Sequence, residues 1–339
     1  MKPLSVLRAV GVIVLSLSPS ISVQAQQADA TLKGKPITLY VAGPAGSGYD
    51  AYARLFSRYA GRYLPGNPDI IVSNMPGASG VTCANFVYKI APKDGTAVGL
   101  VLQWLAEEQV VGTNGAQFDV AKFGWIGRLS SNVEISYTWH TVPVHTIADL
   151  MNRETVFAAT GGSSTLYPQL LNKMVGARFK VVTGYLGTPA ANLAMERGEV
   201  EGATSSLNTL KLMQPDWLAD KKINVLVQYS LQRDRELPDA PAVVELARTP
   251  ADMTVLSFFA NGGAIGRSIV APPGLPEESL TTWRTAFIRT MHDPAFIGEA
   301  ERVKLDLDPM PGGELQVLVQ TAVSLSAADR EHIQAAYRP

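Results

Sequence analysis

The sequence predicts an α/β protein made of two doubly wound halves that face each other across a ligand cleft. Three observations carry this reading. Short apolar runs alternate with helical patterns in two separate stretches of the chain, and such helical crossovers require parallel pairing. Four strand ends run into glycine-rich bends centred on Gly46, Gly77, Gly162 and Gly187. In open sheets of this kind, ligands sit at the carboxyl ends of the strands, so bends from both halves can line one cleft.

The first unit sets the pattern. Residues 37–42 read as a buried strand, and Gly43, Gly46 and Gly48 turn the backbone sharply. Asp50 is placed to cap a helix whose Ala53, Phe56, Ala60 and Leu64 recur on one face. A strand, loop and helix start of this kind gathers unpaired amides and the positive end of a helix dipole, which favours an anion. A second unit follows: strand 69–73, the bend 74–80, a helix from 81 to 90 and a strand at 97–102. Residues 123–136 are less regular.

The pattern restarts after Thr146 with a short helix at 147–152, strand 156–159, the bend 160–164 and a helix at 165–175. Strand 179–183 then reaches the bend 184–188 and a helix opened by Pro189, where proline suits the first turn. Further short strands are expected at 200–204 and 223–229. The final third contributes a strand at 268–271, a helix at 276–291, a short strand at 305–307 and two terminal helices near 314–324 and 327–337. It is expected to return to the first half. Residues 262–266, GGAIG, suit either a crossover hinge or a surface loop.

Composition excludes several functions. The 339 residues carry 29 basic and 30 acidic side chains, which does not call for nucleic acid or an anionic membrane. Lys2 and Arg8 flank an apolar core at 9–17 that ends in Val23-Gln24-Ala25, the pattern of an export signal cleaved after Ala25. The rest is long enough for two domains. Cys83 is the single cysteine, so no internal disulfide is expected; it reads as a small buried helix residue. With no cysteine directly following the leader, a freely diffusing periplasmic protein without a lipid anchor is expected.

The familiar enzymatic signatures fail. Residues 46–51 satisfy G-x-G-x-x-A, yet the second strand ends at Ser73-Asn74 rather than in the acid that holds a ribose, so no dinucleotide is expected. Neither 161–165 nor 77–80 completes a nucleophile elbow. His140, His145, His292 and His332 stand at none of the four bends, so neither a metal site nor a catalytic histidine is expected. Asp50 reads as a cap rather than a general base. No lysine or arginine lies inside the four bends, and Arg54 is one helical turn past the first. The expected anion site therefore relies on amides and hydroxyls.

At these residues the sequence resembles the solute receptors of tripartite tricarboxylate transporters, the Bug proteins. The likeness rests on AGPAGSGYDAYARL, on SNMPGASG followed by ANFVYKIAPKDGT, and on GYLGTPAANLAMERGEVEG, in family order from Lys35 onward. It implies a type II periplasmic-binding-protein fold that closes on a small carboxylate and hands it to large and small membrane permease subunits. The receptor is expected to be a monomer without cofactor or metal. The implied domains are 32–133 with 256–339, and 134–255, after the leader 1–25. The implied ligand-binding residues are Gly46, Ser47, Gly48, Tyr49 and Asp50; Asn74, Gly77, Ala78, Ser79 and Gly80; and Gly162, Ser163, Ser164, Thr165 and Gly187. Where many relatives place an acid, the chain reads Ala191-Asn192-Leu193, so a carboxylic acid lacking an amino group is expected. A secreted α/β hydrolase or isomerase, or a ligand sensor for a membrane kinase, are the alternatives.

Overall fold

Eleven strands in two sheets organise the chain in the computed structural model, which describes residue 32 and residues 34–337. The leader and its cleavage point after Ala25 lie outside the described residues. Among the described residues, no helix is long and apolar enough to cross a membrane.

The first sheet contains β1 (Ile37–Val41), β2 (Ile70–Asn74), β3 (Ala97–Val101) and β4 (Gly124–Ser130). The second is built from β5 (Glu134–Trp139), β6 (Thr155–Ala159), β7 (Phe179–Thr183), β8 (Gly202–Ser206) and β9 (Ile223–Tyr229). The chain then returns to the first sheet with β10 (Arg267–Ala271) and β11 (Met310–Pro311). The orders are β11-β4-β10-β3-β1-β2 and β7-β6-β8-β5-β9.

Pairing is parallel within β3-β1-β2 and β7-β6-β8, where helices make the crossovers. It is antiparallel wherever the chain changes sheets. β10 runs against both β3 and β4, β11 runs against β4, and β5 runs against β8 and β9. Both sheets are thus mixed, a departure from the purely parallel expectation.

The irregular stretch 123–136 holds β4 and the start of β5. Its pattern is hard to read because β4, GWIGRLS, is buried on both faces, so polar and apolar residues do not alternate. Its Gly127 is required by packing: a Cβ there would lie 2.3 Å from the Phe287 ring of helix Glu277–Met291. Residues 305–307 form no strand; β11 takes the sheet edge instead. Residues 262–265, expected in a hinge or surface loop, close a buried helix, Pro250–Ile265, whose cap is Gly266.

Opposite burial patterns explain the local elements. Helix Gly48–Ala60 buries Tyr49, Tyr52, Ala53, Phe56 and Ala60 at helical spacing, and β1 buries Ile37, Leu39 and Val41 at strand spacing. The first sheet is enclosed in one continuous apolar cluster that includes Phe56, Trp125, Trp283 and Phe287. The second sheet has two clusters, one with Tyr137, Met195 and Trp217, the other with Phe157, Tyr167, Leu226 and Phe259. Helix Ala327–Tyr337 places Ile333 and Ala336 in that last cluster.

Two of the passages between sheets run side by side. The amide of Asn132, between β4 and β5, donates to the carbonyl of Gly263 at 3.0 Å. Gly266, with φ of +58°, brings its Cα so near this segment that a Cβ would meet the Ser130 carbonyl at 2.2 Å. A side chain at 266 would therefore push the two passages apart.

Candidate functional site

A cleft of about 650 Å³ opens between the sheets at the carboxyl ends of β1, β2, β6, β7 and β8. That size fits a small organic ligand. All four bends reach it. Gly46, Ser47, Gly48, Tyr49, Gly77, Ser79, Gly80, Gly162, Ser163, Ser164 and Gly187 line the wall, whereas Asp50, Asn74, Ala78 and Thr165 do not.

Asp50 acts behind the wall. Ser47, rather than Asp50, is the N-cap of helix Gly48–Ala60, and its hydroxyl accepts from the Asp50 amide. The Asp50 carboxylate accepts from the Gly46 amide at 2.9 Å, from Arg54 Nε at 2.9 Å and from Asn74 Nδ2 at 3.0 Å. Asn74 also donates to the Gly43 carbonyl at 3.0 Å, tying the second strand end to the first bend. Burial pushes the Asp50 carboxyl upward, but its bonds to Arg54, the Gly46 amide and Asn74 outweigh this and hold it below the usual range. Arg54 is half exposed and spends its charge on this brace.

The second bend is strained. Gly77, Ala78, Ser79 and Gly80 all have positive φ, which is uncommon for alanine and serine. The Ser79 carbonyl accepts from Trp104 Nε1 at 2.9 Å, fixing an indole in the cleft wall. Gly80, Gly162 and Gly187 occupy the N-cap positions of helices Val81–Lys89, Ser163–Val175 and Thr188–Glu196. None has a side chain to satisfy the first-turn amides; the Val81 amide donates to the Ala78 carbonyl and the Thr165 amide to the Gly162 carbonyl, and the positive ends of the three helix dipoles point at the cleft.

The charges in the cleft come from residues outside the bends. Arg267, the first residue of β10, lines the wall and is only 2% exposed. Its guanidinium lies over the rings of Tyr52 at 4.7 Å and Tyr49 at 5.4 Å. Nη2 makes long contacts of 3.4 Å to Ser206 Oγ and Thr209 Oγ1, while Nε and Nη1 have no partner. Among the described residues Arg267 forms no ion pair.

Glu134, the first residue of β5, is the acid in the wall. Burial pushes its carboxyl up to about 7, against the opposing influence of Arg267 and of Ser163. An acid therefore does reach the cleft wall, from a position other than 191–193. Asn192, at the position read as lacking a countercharge, is not in the wall; it is buried and accepts from Tyr137 Oη at 3.0 Å.

Tyr49 is neither at a surface nor free to stack broadly on a ligand. It is buried with its hydroxyl accepting from the Gln103 amide, and burial raises it to about 12. Thr204, Ser205, Ser206 and Thr209 add hydroxyls, and Leu102, Leu186 and Met213 add apolar surface. Polar runs such as TSS at 204–206 carry no distinct sequence signal. Cys83 is buried away from the wall, and burial raises its thiol to about 12, as an inert packing residue requires. Among the described residues no cluster of three or more His, Cys, Asp or Glu is placed to hold a metal ion.

Two α/β lobes with a cleft at their strand ends define the class of two-lobed periplasmic solute-binding proteins. Residues 65–328 match the model of the tripartite tricarboxylate transporter family receptor, TctC, and the chain belongs to that family. No curated protein matches it. The periplasmic binding protein BugD is similar at 19% identity and a TM-score of 0.65, over 89% of this chain and 97% of that one. MatC of Rhodopseudomonas palustris, with bound malate, is similar at 19% identity and 0.65, over 88% and 98%. A structure from R. palustris with adipate is similar at 20% identity and 0.64, over 89% and 97%. Membership of the family makes this chain a solute-binding receptor, and the likeness to these structures shows the shared fold.

Proposed function

We propose that the protein is an exported periplasmic receptor that closes its two lobes on a small carboxylate and delivers it to a tripartite tricarboxylate-type permease. The observation that carries the carboxylate is Arg267, a buried guanidinium in the cleft wall with two unpartnered nitrogens. A buried charge without its partner costs several kcal/mol, and a ligand carboxylate removes that cost. It is also the group that a guanidinium fork and helix starts both favour. The malate and adipate bound by the two similar structures fit the same chemistry.

The proposed domains are 32–133 with 256–339, and 134–255, with the second boundary moved on to Gly266 because helix Pro250–Ile265 runs unbroken through 255–256. The hinge falls where Asn132 meets Gly263 and where Gly266 abuts Ser130, with the last helix packed across the junction. All fifteen residues from the four bends keep their proposed role, most through the wall itself. Asp50 and Asn74 act by holding the first bend, Ala78 by accepting from the Val81 amide in the second, and Thr165 by donating its amide to the Gly162 carbonyl in the third. Calorimetry of ligand-stripped protein against mono- and dicarboxylates tests this. Arg267→Gln is expected to weaken binding by about a hundredfold, the value of a charge-assisted pair. A neutral sugar that binds while every carboxylate fails would overturn the reading.

A further inference from the structure

The cleft has a second pole that the carboxylate does not explain. Its members are Glu134 and Asn132, 5% and 2% exposed, which both line the wall. Asn132 Nδ2 donates to Gln103 Oε1 at 2.5 Å, and Gln103 Nε2 donates to Glu134 Oε1 at 3.4 Å. With Glu134 ionised, this relay fixes both amide orientations. Turning Asn132 over would set two oxygens against each other at the Gln103 contact, and turning Gln103 as well would move the clash to Glu134. Asn132 Oδ1 is thereby left as a buried acceptor with no donor.

From this arrangement we infer that the ligand carries a protonated amine beside its carboxylate, with the amine seated against Glu134 and Asn132 Oδ1. The inference rests on the carboxylate reading above. An ammonium has three donors and no acceptor, so one group satisfies both the carboxylate and the orphaned amide oxygen. A second ligand carboxylate offers no donor. It could be tolerated only with Glu134 protonated, and Asn132 Oδ1 would still be unsatisfied. Charge balance agrees. Arg267 and Glu134 share the wall without forming an ion pair among the described residues, so a zwitterion neutralises both while a simple anion neutralises one. The two poles also belong to different sheets, Arg267 to the first and Glu134 to the second, so a zwitterion bridges the lobes.

The test uses full-length mature protein, stripped of any retained ligand, and calorimetry on matched pairs. These are aspartate and succinate, glutamate and glutarate, leucine and 4-methylpentanoate, and phenylalanine and 3-phenylpropionate. At least one amino member is expected to bind about tenfold or more tighter than its deaminated partner, as a desolvated charge pair requires. Glu134→Gln, with its fold checked by circular dichroism and melting, should erase that preference by weakening the amino member more than its deaminated partner. Deaminated acids that bind as tightly as the amino acids or tighter overturn the inference and leave the carboxylate reading standing. Equal losses for both members in Glu134→Gln overturn it too, because they mark a structural role. A panel in which nothing binds overturns both, as does an amino acid methyl ester that binds as well as the free acid.

Discussion

The two sides of the cleft differ in how they hold their shape. On the first, the loop 43–47 is braced from behind by the Asp50, Arg54 and Asn74 network, and Arg267 is wedged over two tyrosine rings. On the second, the bend 184–187 carries Leu186 at 92% exposure, with its tip pointing into open solvent at the cleft edge. A braced side suits a group common to all ligands, and a loose side suits closure around whatever differs between them. Five substitutions can break or sharpen that contrast.

The largest effect is expected at Gly48. A Cβ there would lie 3.3 Å from Thr209 Oγ1 and 3.5 Å from Arg267 Nη2, so Gly48→Val fills the space in front of the guanidinium. Helical φ and ψ suit valine well enough for the protein to fold, but binding should fall by more than about a hundredfold in calorimetry. Retained affinity in a folded variant would show that the ligand does not approach Arg267.

Next comes the brace. Asp50→Ala strands the Gly46 amide and the Asn74 side chain and should cost about 1–3 kcal/mol in urea unfolding. Arg54→Ala should cost clearly less than Asp50→Ala, because Arg54 is half exposed and solvent screens its charge. The reverse order would mean that the ion pair, not the loop amide, holds the first bend. Asp50 is held below the ordinary carboxylate range, so its contribution is present at neutral pH and is lost as acid protonates it.

Glu134 acts in the opposite direction. Its carboxyl rises from 4.5 unfolded to about 7 folded, so between those values the folded state binds the extra proton and stability falls as pH rises. Glu107, also raised by burial, adds to the trend. The titratable groups whose charge bears on Glu134 are Arg267, Glu107, Tyr49, Tyr137, Tyr167 and Tyr229, while Gln103, Asn132 and Ser163 hydrogen-bond it. Glu134→Gln should flatten the pH dependence of unfolding by up to about 1.4 kcal/mol per pH unit in that window. An unchanged slope would place the Glu134 carboxyl in its ordinary range.

The smallest effect belongs to Leu186→Ala. Melting of the free protein should change by less than about 0.5 kcal/mol, since the side chain packs on nothing there. Affinity should weaken several-fold if the second side closes over the ligand. A variant with full affinity would leave the bend 184–187 outside the closed site.

What could be read along the chain was whatever depends on near neighbours. Strand, glycine bend and helix start lie within about ten residues, so the four bends and the repeated α/β order were legible. The resemblance carried by 74–80 and 91–96 pointed to the family for the same reason. The capping of helix Gly48–Ala60 was nearly legible, with Ser47 and Asp50 exchanging roles over three residues. The poles of the cleft were not. Arg267 and Glu134 each begin a strand in which nothing local marks them as ligands, and they face the cleft only because β10 and β5 enter their sheets antiparallel beside distant partners. Their burial, and so their electrostatic force, is set by Tyr49, Tyr52, Gln103 and Asn132, residues up to about two hundred positions away in the chain. The sequence by itself therefore determined where a ligand could be held by backbone. Only the tertiary structure decided which charges meet it, because charge placement in a cleft depends on long-range register, which local patterning does not encode.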